Sequence, residues 1–362
     1  MPLEVPTFDR TRNMPRQAAS VMDRIGPVLM LILCSNGLAR CAGLQNCKTA
    51  TNCTRYLSVG LYWGLNNQLL TLVRSMAAAR YLGACFVLPS VYIDWKSPYN
   101  NSNIQPLGLL FDIDIFVNRS AKLGVVVVPY LPAEYEPLCL AQLQHDLSNR
   151  DLELAAEVNL RHRLAQYGVV CLAAHTALVG LSRLGPNGDP FWAALSPAKA
   201  FKDIVDNAIH ALRTQGVESF VVLQGRIEMD WKQHCKGVNR QRHGRVCYVT
   251  PDRMEEYLVE QRLPSSTWVL IASSNGKSHF EAVCNKRPCF SKTDVIDFTK
   301  LDPVFSSYIT TGAFIDWLLA SKAHKVFGNQ FSTWYWGVMA YRRVALKLHD
   351  PIHTWMYNPS NK

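Results

Sequence analysis

Short apolar runs rich in β-branched residues recur along the chain at 84–88, 124–128, 168–172, 220–223 and 268–272, each bounded by Gly, Pro or polar residues. Runs of this length and composition predict buried strands. Helical patterns lie between several of them. The clearest is predicted to open with Ser196 as cap and Pro197 at the first position, to place Phe201, Ile204, Val205, Ile209 and Leu212 on one face, and to end near Gly216. The strand 220–223 follows at once. A second helix starts at Thr250-Pro251 and turns Met254, Tyr257 and Leu258 inward before the strand at 268–272, and a third apolar helical stretch, 69–82, leads into the strand at 84–88. Such alternation predicts an α/β fold with parallel sheets. The densest cluster of helix and strand breakers, Leu184-Gly185-Pro186-Asn187-Gly188-Asp189-Pro190, marks a boundary between two halves of similar size, 43–190 and 191–362. The expected architecture is two Rossmann-like domains facing a cleft.

At 362 residues, 48% of them hydrophobic, with no low-complexity tract, the chain can bury two substantial cores and is expected to be compact and soluble. The net charge of +10 favours anionic partners: nucleic acid, anionic lipid or a nucleotide-sugar. The dense basic cluster Arg240, Arg242, His243 and Arg245 has no interleaved aromatics for base stacking and reads as a solvated loop, which with the secretory signals argues against nucleic acid. Arg10, Arg12, Arg16 and Arg24 precede an apolar run from Ile25 to Cys34 and small residues at Gly37 and Ala39, so 1–42 reads as a signal peptide or short anchor. The run is about half of the ~20 residues that span a bilayer. Glycosylation sequons follow at Asn52, Asn100 and Asn118. Eleven cysteines in a chain with these signals point to disulfides in an oxidising lumen. Cys47 with Cys53, Cys235 with Cys247, and Cys284 with Cys289 are the local pairs expected to close short loops, while Cys85 and Cys171, inside apolar runs, read as buried thiols. No cysteine spacing fits a structural zinc site.

The candidate chemistry sits at three strand-to-helix junctions. Leu223-Gln224-Gly225-Arg226-Ile227-Glu228-Met229-Asp230 places one arginine and two acids at the end of a strand, where open α/β sheets hold their ligands. A guanidinium with its fixed fork of donors suits a diphosphate; the plain alternative is an arginine that pairs locally with Glu228 or Asp230. Trp63-Gly64-Leu65-Asn66-Asn67-Gln68 opens a helix, whose free backbone amides and dipole suit a phosphate. The alternative there is that Asn66 or Asn67 is a simple cap. Gly328-Asn329-Gln330-Phe331-Ser332-Thr333 leads into an aromatic-rich helix, and Ser332 and Thr333 suit both capping and phosphate binding.

Together, across about 59–344, these segments resemble the GDP-fucose-dependent protein O-fucosyltransferases and their plant-type relatives. Gly64, Asn67 and Gln68 match that family's first loop, and Gln224-Gly225-Arg226-Ile227-Glu228-Met229-Asp230 is similar to its His-Leu-Arg motif. Asp316, Gly328-Asn329 and Ser332-Thr333-Trp334 follow in the family's order, and Phe111-Asp112-Ile113-Asp114-Ile115-Phe116 is similar to a segment after its first strand. The resemblance implies a GT-B-type fold, GDP-fucose as donor, inversion at the anomeric carbon and no obligatory metal. It implies nucleotide-sugar contacts from Gly64, Asn67, Gln68, Gln224, Arg226, Asn329, Ser332 and Thr333, and a guanine contact from Asp316. Arg226 and Asn67 are the candidate catalytic residues, and Glu228 and Asp230 the candidate general bases. Gln224 and Gly225 depart from the family, which keeps open a non-catalytic luminal binding protein of the same fold. Asp112 and Asp114, one residue apart, resemble a metal-binding Asp-x-Asp pair on one face of a strand, but their apolar neighbours read as packing. The expected partners are a nucleotide-sugar donor and a protein or glycan acceptor in the endoplasmic reticulum or Golgi lumen, with a membrane only if 1–42 is retained.

Overall fold

The structure, a computed structural model, describes residues 53–349 and 353–354, apart from 62–63, 94–102, 150–156, 174–180, 182–188, 240–246, 275, 307–308 and 330–331. The expected signal segment and the sequons at Asn52 and Asn100 lie outside these residues. Asn118 is exposed on a helix. Among the described residues no helix is long and apolar enough to cross a membrane. The chain divides into two compact units between Ala198 and Lys199.

In the first unit, β1 (Tyr56–Val59), β2 (Cys85–Val87), β5 (Val127–Val128) and β6 (Val169–Leu172) form a parallel sheet in the order β5-β2-β1-β6. β3 (Ser90–Tyr92) and β4 (Ile104–Pro106) form a separate antiparallel pair. The helices are α1 (Leu65–Leu82), α2 (Ile113–Lys122), α3 (Glu136–Asn149) and α4 (Glu157–Tyr167). β6 is an edge strand, and an open edge invites pairing with another chain. Here α3 lies against it, and the Gln142 side chain stands in for a neighbouring strand. Its Nε2 donates to the Val169 carbonyl and its Oε1 accepts from the Cys171 N–H, both at 3.0 Å. The Cys139–Cys171 disulfide clamps the same helix to the same strand.

Cys85 and Cys171 are therefore not the buried thiols expected from their apolar surroundings. Cys53 pairs with Cys85 rather than with Cys47, because the segment entering β1 runs beside β2, where the Cys85 N–H donates to the Arg55 carbonyl at 2.8 Å. Both bridges join residues 32 apart in sequence, a pairing that only strand order reveals. The expected local pairs Cys235–Cys247 and Cys284–Cys289 are present.

The Asp112 and Asp114 pair is not on a strand. Asp112 caps α2, accepting from the Ile115 N–H at 3.0 Å, and Asp114 is exposed in its first turn, where a negative charge suits the helix dipole. The same region moves the domain boundary. The 3-10 helix Asp189–Ala194 packs on α1 and α2; the Ser196 carbonyl then accepts from the Asp112 N–H, and Pro197 bridges Phe111. Residues past 190 are thus held in the first unit. Ser196 and Pro197 do not open the next helix, which begins at Lys199.

The second unit has a parallel sheet of β7 (Phe220–Gln224), β8 (Trp268–Ala272), β9 (Cys289–Phe290), β10 (Lys325–Gly328) and β11 (His353–Thr354), in the order β11-β10-β7-β8-β9. Its longer helices are α5 (Lys199–Thr214), α6 (Met229–Asn239), α7 (Pro251–Glu260), α8 (Ile309–Lys322) and α9 (Thr333–Val344). Val221, Leu223, Val269 and Ile271 project from one face of the sheet onto Met254, Leu258, Phe280 and Val283. Elsewhere in the unit, aromatic rings join α5 and α8, with Phe201 edge-on to Phe314 at 4.9 Å, and join α8 to α9, with Trp317 and Tyr341 at 4.4 Å. The fully buried Arg342 on α9 donates to the carbonyls of Ala320, Ser321 and Ala323, satisfying groups that the end of α8 leaves without intrahelical partners.

Candidate active site at the carboxyl edge of the second sheet

In the second sheet the chain leaves β7 toward β8 on one side and leaves β10 toward β11 on the other, while β7 and β10 are hydrogen-bonded neighbours. Adjacent parallel strands with connections departing in opposite directions leave a crevice at their carboxyl ends, where open α/β folds bind ligands. Gln224, Gly225 and Arg226 form one wall of it; Gly328, Asn329, Ser332 and Thr333 form the other.

Two glycines, one in each wall, give the room that close packing there requires. A Cβ on Gly225 would lie 2.0 Å from Cζ of the fully buried Phe280, so the ring occupies the space of the apolar side chain that the resemblance leads one to expect there. A Cβ on Gly328 would lie 2.3 Å from Cδ2 of Tyr335 and 3.0 Å from Oε1 of Gln224. Gly225→Ala is expected to destabilise the protein by about 1–3 kcal/mol through overpacking, and a Phe280→Leu partner change to recover part of the loss. Denaturant unfolding of the single and double variants checks this, and an unchanged midpoint for Gly225→Ala would remove the close approach as a constraint.

Arg226 is one-third exposed. Its Nε lies 3.2 Å from Glu228 Oε2, though not aligned for a hydrogen bond, and its Nη2 lies 3.6 Å from Asp230 Oδ2. Its guanidinium stacks 4.6 Å from the ring centre of Trp231. The local pairing weighed from the sequence is thus present. Nη1 has no partner among the described residues. Of the two acids, Asp230 is the more exposed, while Glu228 accepts from the Ser274 hydroxyl at 2.8 Å.

Gln224 and Asn329 are buried, and their amides are used inside the protein. Gln224 Nε2 donates to Ser332 Oγ at 2.6 Å, and its Oε1 accepts from the Asn329 N–H at 3.3 Å. Asn329 Nδ2 donates to the Cys247 carbonyl, which also accepts from Trp231 Nε1 at 3.3 Å. One backbone oxygen, tethered to α6 by the Cys235–Cys247 bridge, therefore joins the Arg226 wall to the Asn329 wall. No side-chain motif could have marked it, since the acceptor is a main-chain atom. Trp231 carried a readable signal, an aromatic ring close in sequence to an arginine.

Ser332 occupies the N-cap position of α9, but its side chain does not cap the helix, and Thr333 beside it is half-buried. Asp316, expected to face a base, is buried in the middle of α8, with Oδ2 bonded to Lys292 Nζ from just beyond β9 and Oδ1 without a partner. Burial pushes its carboxyl above the ordinary aspartate value, and Lys292 opposes this without reversing it.

The first-unit residues lie at the start of α1. Gly64 is the N-cap, so neither Asn66 nor Asn67 fills that role. The backbone N–H groups of Asn67 and Gln68 are not free, since both donate to the Gly64 carbonyl, at 3.0 and 3.3 Å. The Gln68 side chain is occupied by the backbone of Tyr92, donating and accepting at 2.8 Å, and so anchors β3. The half-buried Asn67 side chain has no partner among the described residues, and Asn66 is buried with Oδ1 unpartnered.

No protein-family model and no curated sequence matches the chain. Its fold is similar to solved structures of POFUT1. One, in complex with GDP, matches at 14% identity and TM-score 0.59, covering 84% of this chain and 98% of that one. Another, in complex with GDP-fucose, matches at 14% identity and TM-score 0.57, covering 83% and 97%. At this identity the likeness is one of fold, and the chain has the GT-B-type α/β fold expected from its sequence.

Proposed function

We propose that the chain is an inverting glycosyltransferase that moves fucose from GDP-fucose to a hydroxyl of a protein or glycan acceptor in the lumen of the endoplasmic reticulum or Golgi. The observation that carries this reading is the crevice between β7 and β10, which gathers Arg226, Ser332, Thr333 and the first turn of α9 at one switch point. The POFUT1 structures of similar fold, in complex with GDP and with GDP-fucose, support the choice of donor, and the disulfides fit an oxidising lumen. In the reaction the acceptor oxygen attacks the anomeric carbon as the bond from that carbon to the diphosphate oxygen breaks. The electron pair leaves with GDP, and the acceptor proton passes to a base, for which Asp230 and Glu228 are the candidates. The largest task is stabilising charge on the departing diphosphate. Arg226 would do this with its unclaimed Nη1 and with the edge now facing Glu228 and Asp230, aided by Ser332 and Thr333. Asp316 would accept from the guanine base.

One observation favours the second reading, a luminal binding protein that keeps the fold: two acids already offset the single charge of Arg226. Hydrolysis measured across a panel of sugar nucleotides, with excess EDTA and again with manganese, separates the readings. Release of GDP from GDP-fucose, undiminished by chelation, is the expected result. Inertness toward every donor supports the binding protein, and strict manganese dependence overturns the metal-free mechanism.

A further inference from the structure

We propose that Gln224 is a positioning residue that fixes the direction of the Ser332 hydroxyl proton, aiming it at an anionic oxygen of a bound diphosphate. This rests on the nucleotide-sugar reading above and assigns Gln224 no contact with the ligand. Gln224 is buried at the end of β7, and both ends of its amide are engaged. An amide nitrogen only donates and an amide oxygen only accepts. With Oε1 held by the Asn329 N–H, Nε2 must face Ser332 Oγ; turning the amide over would set two donors against each other. Ser332 Oγ is therefore forced to accept in that contact, and its own proton must find a different acceptor. Among the described residues none takes it, although Ser332 is buried and stands at the N-cap of a 12-residue helix that its carbonyl joins but its hydroxyl does not cap. A buried hydroxyl proton beside the positive end of a helix dipole is satisfied by an anion. The glutamine thus has a role that sequence comparison alone gives as a lost histidine.

The test is calorimetric titration of GDP-fucose into the wild-type chain, Ser332→Ala, Gln224→Glu and the double variant, with thermal unfolding of each. Gln224→Glu keeps the acceptor for the Asn329 N–H but turns the donor into an acceptor, so the Ser332 proton swings back onto the carboxylate. The added negative charge repels the diphosphate in both backgrounds and cancels in the cycle. Gln224→Glu is expected to weaken binding about tenfold more with Ser332 present than in the Ser332→Ala background, the size of one hydrogen bond to a charged group. Gln224→Met, which adds no charge, serves if the glutamate variant does not fold, with coupling of the same sign. Equal losses in both backgrounds overturn the proposal. Absence of GDP-fucose binding by the wild-type chain overturns the nucleotide reading and this inference with it, whereas wild-type binding with no coupling overturns this inference alone.

Discussion

Arg226→Ala is expected to lower fucosyl transfer by on the order of a hundredfold or more, the cost of removing one preorganised donor from a developing charge. Arg226→Lys should lose nearly as much, since an ammonium is a point charge and cannot reproduce a forked contact with two phosphate oxygens or the stacking on Trp231. The alanine variant also leaves Glu228 and Asp230 facing an incoming diphosphate with no cation between them. Measurement of kcat/KM with a matched unfolding curve decides the matter. Near-normal turnover by a folded Arg226→Ala protein would remove the residue from the mechanism.

The largest effect on stability is expected at Glu255. Its carboxylate and the Arg287 guanidinium are almost fully buried, joined by Nε to Oε2 at 2.8 Å and Nη2 to Oε1 at 3.2 Å. Arg287 Nη1 also donates to the carbonyls of Leu263 and Pro264. Glu255→Ala strips a buried cation of its counter-charge, and the expected loss is about 3–5 kcal/mol. Replacing both residues by methionine should recover most of it, because a buried pair exchanged for apolar side chains leaves no lone charge. Urea midpoints of the single and double variants test this. A double variant as unstable as Glu255→Ala would mean that the carbonyl contacts of Arg287, and not the ion pair, carry the energy.

Elements with strong local causes were readable in advance. The strand Trp268–Ala272 falls where its apolar run lies, and the helix after Thr250-Pro251 starts as its cap and proline require, with Thr250 accepting from the Arg253 N–H. Glu255 shows the limit of such reading: it lies beside Met254 on the inward side of that helix, and its partner is 32 residues away. The helix after Ser196-Pro197 opens two residues late because those residues are held by Phe111 and Asp112. The site was legible as a set of strand-end loops, but the use of each polar group in it was not. Gln68 and Asn329 have the chemistry of ligand donors, and each spends its amide on a main-chain partner brought close by folding.

The sequence by itself determined the alternation of strands and helices, the α/β class and the strand-end position of Arg226, and it offered three local cysteine pairs, of which Cys235–Cys247 and Cys284–Cys289 formed. All of these depend on residues near one another in the chain. Only the tertiary structure decided that β10 rather than β6 neighbours β7, that Cys53 joins Cys85 and Cys139 joins Cys171, and that Phe280 fills the space above Gly225. It also decided that Gln224 faces Ser332, 108 residues away. The physical reason is that a hydrogen bond, a disulfide or a packed ring needs its partner within a few ångströms, and the order of parallel strands, set by the burial of whole faces, determines which distant residues come that close.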